Sequence, residues 1–289
     1  MGCTMPHGLL YGASYSNGVL SFTDKQGRTI CSAYLRNYLT LTATEDNSSV
    51  KLTKVGTLDN TFEVDTGNGW EDYAFDTVIP LNAGQSCKWR CKSHPTTQSS
   101  SDYVKFVMTG TIEASGNCNS MLSSDFGGIT SLYDYDYAFY KMFDGCAALM
   151  QAPELPATRL VDRCYAYMFR DTSLTESPVL PAESLQPSWS NKPTYCYMSL
   201  FDGCIRLKKI TCLATNNIFS TKNGTSTGAI IYANTSSWVH NVPSGGTFYY
   251  PVFPTIFGYD QYQYGDLHPS DTDWQIPYGW SKVDITPQT

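Results

Sequence analysis

The sequence predicts a mainly β protein with a minor α+β component, in which a β-sandwich precedes a short solenoid and a C-terminal cap. Three stretches that repeat one pattern predict the solenoid, because such units stack and share a core. Short alternating apolar and polar segments at close intervals predict the sandwich.

Residues 1–38 form a separate N-terminal segment. Residues 18–30 alternate in polarity and carry a turn signal at residues 25–27, which predicts a β-hairpin. Two interpretations stay open: the hairpin attaches the protein to a larger assembly, or it packs on the next domain.

Residues 39–112 are predicted to form a β-sandwich of the immunoglobulin-like kind. The predicted strands are residues 39–44, 50–55, 61–65, 77–81, 87–91 and 103–108. Trp70 and Trp89 are expected to be core or edge aromatic residues, with ligand contact as the alternative.

Residues 113–289 contain three copies of one pattern, at residues 137–157, 165–182 and 195–215. The copies align on Phe143, Phe169 and Phe201, with steps of 26 and then 32 residues. The Tyr-x-x-Met-Phe spacing predicts a short helical turn in each copy, and the later prolines predict an extended segment. The longer step holds an insertion with Trp189, and insertions in solenoids often build the binding face.

The pattern Tyr-x-x-Met-Phe-x-Gly-Cys-x-x-Leu, followed by Ala-Pro-x-Leu-Pro-Ala, resembles the BspA-like leucine-rich repeats of gut bacteria and their phages. The resemblance covers residues 111–216 and extends more weakly to Trp238. The middle copy departs from the pattern with Asp171 and Thr172 in place of Gly-Cys, and a Tyr-rich stretch interrupts the cap. The resemblance implies a short leucine-rich-repeat solenoid with a Tyr-rich cap and an adhesion or virion role, and it brings no catalytic residues.

The ten cysteines are expected to include several small core residues, because Cys146 and Cys204 occupy the same repeat position. Disulfides and a metal site are the alternatives. The spacing of Cys87 and Cys91 does not match a zinc knuckle, and no second pair accompanies it. No metal and no cofactor are therefore predicted.

The composition limits the classes of partner that the protein is expected to bind. The net charge of −7 argues against nucleic-acid binding, and no apolar run is long enough for membrane insertion. Charged residues make up only 16% and tyrosines number 21, which is typical of virion or extracellular surfaces. The first residues lack the basic and apolar regions of an export signal, which favours a virion over a bacterial cell surface.

Aromatic residues outside the repeats are the predicted binding residues, since tyrosine combines wide contact area with a polar group. They are Trp189, Tyr249, Tyr250, Tyr259, Tyr262, Tyr264 and Trp274. Alternatively, these rings fix a loop to the solenoid or to a neighbouring subunit. Asp134 and Asp136 are expected at a solvated edge, with calcium binding or catalysis as the alternative.

The sequence thus predicts a non-enzymatic structural protein of a phage virion, a fibre or decoration component that binds a host glycan or surface protein. Its expected partners are other virion proteins and copies of itself, with a trimer as one arrangement. Two alternatives remain: an exported adhesin of a gut bacterium and a polysaccharide depolymerase.

Overall fold

The structure is a computed structural model that describes residues 12–16, 19–23, 29–34, 37–94, 97–185, 194–214, 220–221, 230–231, 233–251, 276–277 and 279–285. For residues before 37, and for 220–233, it describes the backbone alone. The described chain is mainly β, as predicted, and its helices are two single 3-10 turns, Cys118–Met121 and Ala233–Thr235. None of the described helices has the length and apolarity to cross a membrane.

The first three strands form a small antiparallel sheet. They are β1 (Gly12–Ser16), β2 (Val19–Thr23) and β3 (Thr29–Tyr34), hydrogen-bonded in that order. The β2–β3 pair coincides with the hairpin expected over residues 18–30, with Val19 opposite Tyr34. Its role in attachment stays a prediction.

Two sheets follow and share one core. Their strands are β4 (Leu39–Ala43), β5 (Ser48–Val55), β6 (Thr61–Asp65), β7 (Trp70–Tyr73), β8 (Ile79–Leu81), β9 (Ser86–Ser93), β10 (Tyr103–Thr109) and β11 (Ile112–Ser115). All six predicted segments contain a strand, and β7 and β11 are additional. One sheet has the order β10-β5-β8, and the other contains β11-β4-β9-β6-β7. The buried Trp89 of β9 meets Phe106 of β10 with ring centroids 5.1 Å apart.

The remaining strands belong to a β-solenoid of about four turns. They are β12 (Leu149–Gln151), β13 (Glu176–Leu180), β14 (Lys209–Cys212), β15 (Ser220–Thr221), β16 (Ile230–Ile231), β17 (Thr247–Tyr250) and β18 (Ser281–Asp284). Strands β13, β14, β17 and β18 form a parallel sheet in that order, while β15 and β16 pair antiparallel within one connection. Each turn of the solenoid therefore contributes one strand to one side.

The opposite side of each solenoid turn is a run of consecutive chain turns, which we call a rung. Rungs 1 to 4 are residues 137–146, 163–172, 195–204 and 234–242. Alternate N–H groups donate to the next rung, as Phe139 N–H does to the Cys164 carbonyl at 2.8 Å. The N–H groups between them close turns within the rung, as Tyr140 N–H does to the Tyr137 carbonyl at 3.0 Å. This alternation gives the buried backbone groups the partners that they need.

The helical turn predicted for the Tyr-x-x-Met-Phe segments is wrong. In a helix, each N–H donates to the carbonyl four residues earlier, whereas here every second N–H donates to a carbonyl of the neighbouring rung. Left-handed backbone also recurs at every fourth residue, as at Tyr137 and Lys141 with φ of 56°. The apolar spacing that predicted a helix also occurs in this arrangement, because its core rings recur every four residues, as Phe139 and Phe143 do in rung 1.

Two columns of stacked rings fill the solenoid core. The first contains Phe106, Phe143, Phe169 and Phe201, with successive centroids 5.3–5.9 Å apart and planes within 11° of parallel. The second contains Phe139, Tyr165 and Tyr197. Trp238 of rung 4 lies 6.3 Å from the rings of both Tyr197 and Phe201 and so closes both columns.

The solenoid continues directly from the preceding sheets. Strand β12 pairs in parallel with β11 and becomes the edge strand of the larger sheet. Phe106 of β10 is the first ring of the first column, and its N–H donates to the Met142 carbonyl at 2.7 Å. One hydrophobic core consequently runs from Leu39 to Trp280.

Candidate functional site: a tyrosine–cation face

The rungs bring large polar side chains to the surface at regular positions. Tyr137, Arg163 and Tyr195 occupy the same left-handed position in rungs 1, 2 and 3, and all three are half-buried. Four residues later, Lys141 and Tyr167 occupy the next left-handed position. The residues between them, 138–140 and 164–166, are all buried, whereas these left-handed positions place half-buried side chains at the edge of the core.

This backbone is costly for residues other than glycine, by about 1–2 kcal/mol for each left-handed residue. The hydrogen bonds between rungs offset that cost. Arg163, with φ of 47°, donates its N–H to the Thr194 carbonyl at 2.7 Å, and Tyr167 donates to the Met198 carbonyl at 2.8 Å. The backbone that carries the outer side chains is therefore fixed by hydrogen bonds to the neighbouring rungs.

Tyrosine rings form the centre of this surface. Tyr140 is buried, and the rings of Tyr103, Tyr137 and Tyr167 surround it at centroid distances of 5.3, 5.3 and 5.7 Å. All three meet Tyr140 at steep angles of 68–86°, the edge-to-face geometry that aromatic pairs favour. Burial raises the pKa of the Tyr140 phenol, so the central ring stays neutral at physiological pH.

Three cations lie against these rings. Arg163 lies between two tyrosines, 4.6 Å from the ring centroid of Tyr195 and 5.5 Å from that of Tyr137. It also donates to the Tyr137 hydroxyl at 3.0 Å. Arg170 lies 4.9 Å from the centroid of Tyr167. Lys141 lies 5.1–5.5 Å from three rings.

We call this surface the tyrosine–cation face. Its members are Tyr103, Tyr137, Tyr140, Lys141, Arg163, Tyr167, Arg170 and Tyr195. Both arginines have a carboxylate partner: Arg163 donates to Asp162 at 2.7 Å, and Arg170 grips both oxygens of Asp144 at 2.7 and 3.0 Å. The hydrogen bond to Asp144 raises the pKa of Arg170, and the pair is fixed in a two-point geometry.

The parallel sheet presents a second surface on the other side of each solenoid turn. Val179, Thr211, Tyr249 and Val283 lie opposite one another across its four strands. Val179 is 53% exposed and Val283 is 37% exposed. Lys209 pairs with Glu176 at 2.8 Å and lies 5.7 Å from the Tyr249 ring. Among the residues that the structure describes, this surface carries one accessible ring, Tyr249, whereas the tyrosine–cation face carries several.

Two of the sequence-predicted binding residues can be located. Tyr249 is half-buried on this outer surface, whereas Tyr250 packs against the core beside Phe248, with centroids 6.2 Å apart. The structure does not bring either residue to the tyrosine–cation face. The other five predictions, Trp189, Tyr259, Tyr262, Tyr264 and Trp274, lie outside the described residues.

Buried cysteines line the core, as the repeat pattern predicted. Cys146 and Cys204 each direct their thiol at a main-chain carbonyl, that of Phe106 at 3.1 Å and that of Phe169 at 3.0 Å. Burial raises the pKa of Cys146 to about 12 and that of Cys204 to about 11, so neither is a thiolate at physiological pH. Among the described residues, no His, Cys, Asp or Glu groups have the arrangement of a metal site.

The carboxylates considered for catalysis are both solvent-exposed. Asp134 and Asp136 lie at the start of the first solenoid turn. A cleft of about 430 Å³ lies elsewhere, between Asp65 and the strand β8, with Lys88 in its wall. Asp65 there accepts hydrogen bonds from the N–H groups of Gly67 and Gly69, which lower its pKa and make it a poor proton donor.

The sequence analysis did not separate the repeated tyrosines by environment. Tyr165 and Tyr197 do lie in the core, but Tyr137, Tyr167 and Tyr195 do not. One signal could have separated them: Lys141 and Arg163 share left-handed positions with Tyr167 and Tyr195, and a core position does not accept such charges. Comparisons of the chain with protein-family models, with curated proteins and with solved structures find no match, so the assignment of function rests on this geometry.

Proposed function

We propose that the protein is a non-catalytic recognition protein that binds a glycan through the tyrosine–cation face. The observation that carries this proposal is the set of four half-buried tyrosines and three cations held on consecutive rungs and on the adjoining strand β10. Half-buried rings offer flat apolar surface to the C–H groups of a sugar ring, while their hydroxyls and the cations bind its oxygens.

The rigidity of the face supports this assignment. Rings that are already packed edge-to-face lose little side-chain entropy when a ligand binds, which favours affinity. Successive core rings lie 5.3–6.3 Å apart along the solenoid, a step similar to the length of one pyranose unit in a glycan chain. A linear glycan could therefore place successive sugars on successive rungs.

The experiment compares alanine variants on the two candidate surfaces. Tyr167→Ala and Tyr195→Ala alter the tyrosine–cation face, Tyr249→Ala alters the parallel sheet, and Tyr133→Ala, at a residue 62% exposed, is the matched control. Binding is measured on a glycan array and by calorimetry with the glycans that bind, and each variant is melted to check its fold.

We expect the two face variants to weaken binding by about tenfold or more, since central tyrosines of an interface commonly contribute over about 1 kcal/mol. Tyr249→Ala and Tyr133→Ala should bind like the parent protein. Loss of binding in Tyr249→Ala alone would move the site to the sheet. Retention of binding in both face variants would refute the proposal.

We place this activity in a phage virion, as a fibre or decoration component that contacts a host glycan or surface protein. The low charge and tyrosine-rich composition support a surface role. Capsid or portal genes beside its own gene would agree with a virion component. An export signal encoded upstream would instead support the adhesin of a gut bacterium.

We also infer that the rungs are leucine-rich repeats of the BspA-like type and that the two preceding sheets form an immunoglobulin-like β-sandwich. The repeated Leu149, Leu174 and Leu207 are fully buried at matching positions after each rung, which supports the first inference. The contact between Trp89 and Phe106 across the two sheets supports the second. An experimental structure compared with both fold families would test each.

A further inference from the structure

Lys141 is the cation of the tyrosine–cation face that has no carboxylate partner among the described residues. Its Nζ lies 5.5 Å from the ring centroid of Tyr103, 5.1 Å from that of Tyr140 and 5.5 Å from that of Tyr167. These rings come from β10, from rung 1 and from rung 2. Three separate parts of the fold thus converge on one ammonium group.

The two arginines of the face have carboxylate partners, whereas the Lys141 ammonium has none among the described residues. Arg163 pairs with Asp162, and Arg170 pairs with Asp144 and lies 3.9 Å from Asp171. Within the described part of the chain, Lys141 makes no ion pair, and its ammonium lies over three aromatic rings. Aromatic rings attract a cation through their quadrupole but carry no net charge, so they do not neutralise the ammonium of Lys141.

We propose that the face selects a glycan with a single acidic group per binding unit and that Lys141 binds that group. This inference rests on the proposed glycan recognition and specifies its ligand class. The sugar ring packs on the half-buried tyrosines, its carboxylate or sulfate accepts hydrogen bonds from the ammonium, and nearby phenol hydroxyls donate to the same oxygens.

The carboxylates of the face argue for one acidic group rather than a polyanion. Asp144 and Asp162 lie beside the arginines, and Asp171 is 64% exposed next to Arg170. A chain with a negative charge on every unit would meet these carboxylates along the rungs, whereas one acidic group at Lys141 would not. The net charge of −7 adds a general repulsion of polyanions.

The test uses probes that share one neutral core. Lactose, sialyl-lactose and sulfo-lactose are presented as one matched set, with further matched neutral, carboxylated and sulfated oligosaccharides on the same array. The parent protein is compared with Lys141→Gln, which removes the charge, and with Lys141→Arg, which keeps it. Lys282→Gln, on the exposed strand β18, is the control.

We expect the parent protein to bind acidic probes about tenfold more tightly than their neutral partners, a preference that falls as salt screens the charge. Lys141→Gln should lose the preference, while Lys141→Arg should keep most of it and Lys282→Gln all of it. Comparison of carboxylated with sulfated probes identifies the acidic group.

Three results would overturn the inference: equal binding of neutral and acidic probes, an unchanged preference in Lys141→Gln, or no binding of any acidic probe. Failure of this inference can be told apart from failure of the proposed function. If Tyr167→Ala abolishes binding while Lys141→Gln keeps the preference, the face recognises glycans but Lys141 does not select them. If the Tyr167→Ala and Tyr195→Ala variants bind normally, glycan recognition by this face is refuted as well.

Discussion

At the residue scale, the surroundings of each side chain decide whether it acts in the core or on the surface. Cys164 and Tyr165 are fully buried, whereas their neighbours Arg163 and Tyr167 are half-buried. The sequence alone predicted the cysteines correctly, because a small apolar residue recurs at one repeat position. It did not separate core from surface tyrosines, because a tyrosine suits either environment and the left-handed backbone is not visible in the residue pattern.

The buried thiols should resist alkylation in the folded protein. The eight described cysteines from Cys87 to Cys212 are all buried, and burial raises the pKa of Cys87, Cys91 and Cys196 to about 12. At about pH 8 their thiolate fraction is negligible. Peptide mass spectrometry after brief iodoacetamide treatment should find rapid labelling at most at Cys3 and Cys31, and labelling of all ten after denaturation. Rapid native labelling of Cys146 or Cys204 would contradict the packing described above.

At the element scale, the solenoid depends on how closely each new strand approaches the previous turn. Gly246 precedes β17 and faces Trp280, whose Nε1 donates to the Pro243 carbonyl at 2.8 Å. An added Cβ at Gly246 would lie 2.5 Å from Trp280 ring atoms and 2.7 Å from the Lys208 carbonyl oxygen. Glycine is needed here for the close approach and not for its backbone angles.

Gly246→Ala should therefore destabilise the last solenoid turn. We expect a loss of about 1–3 kcal/mol in the free energy of unfolding, as for other overpacked cores. Urea titration measures the loss, and Trp280 fluorescence should change with it. Gly128→Ala is the matched control, because its added Cβ meets nothing within 4 Å. Equal stability of the two variants would show that β18 is not docked as described.

The strands were the most predictable elements, and the rungs the least. Alternation marked β4 and β5 because one face of each is buried, as in Leu39 and Leu41. The rungs were taken for helical turns because stacked turns and helices bury side chains at similar intervals. The difference lies in hydrogen bonds between residues far apart in sequence, 25 positions from Phe139 to Cys164 and 31 from Tyr165 to Cys196. A local pattern does not contain that information.

At the scale of the whole molecule, the preceding sheets and the solenoid share one core. Strand β12 extends the sheet that contains β11, and Phe143 stacks between Phe106 and Phe169 at 5.3 and 5.7 Å. Repeat proteins often unfold piece by piece, because each unit contacts only its neighbours. Here the continuous core predicts that the sheets and the first rungs unfold together.

Phe143→Ala should test this coupling. Removal of a fully buried phenylalanine should cost about 3–5 kcal/mol, and hydrogen-exchange protection should fall in both β5 and β14. Val179→Ala, at a residue 53% exposed, should leave protection unchanged. Loss of protection confined to the solenoid would mean that the two parts unfold independently.

The spacing of the left-handed residues has a consequence for how this chain can vary. Equivalent positions recur after 26 residues from Lys141 to Tyr167, after 32 from Tyr167 to Ser199 and after 38 from Ser199 to Ser237. Within each rung the interval of four residues stays constant. Length changes are thus absorbed entirely by the connections, and loop closure costs little extra for a few added residues. The molecule is a display framework: foreign peptides grafted into a connection should alter what it presents without altering how it folds.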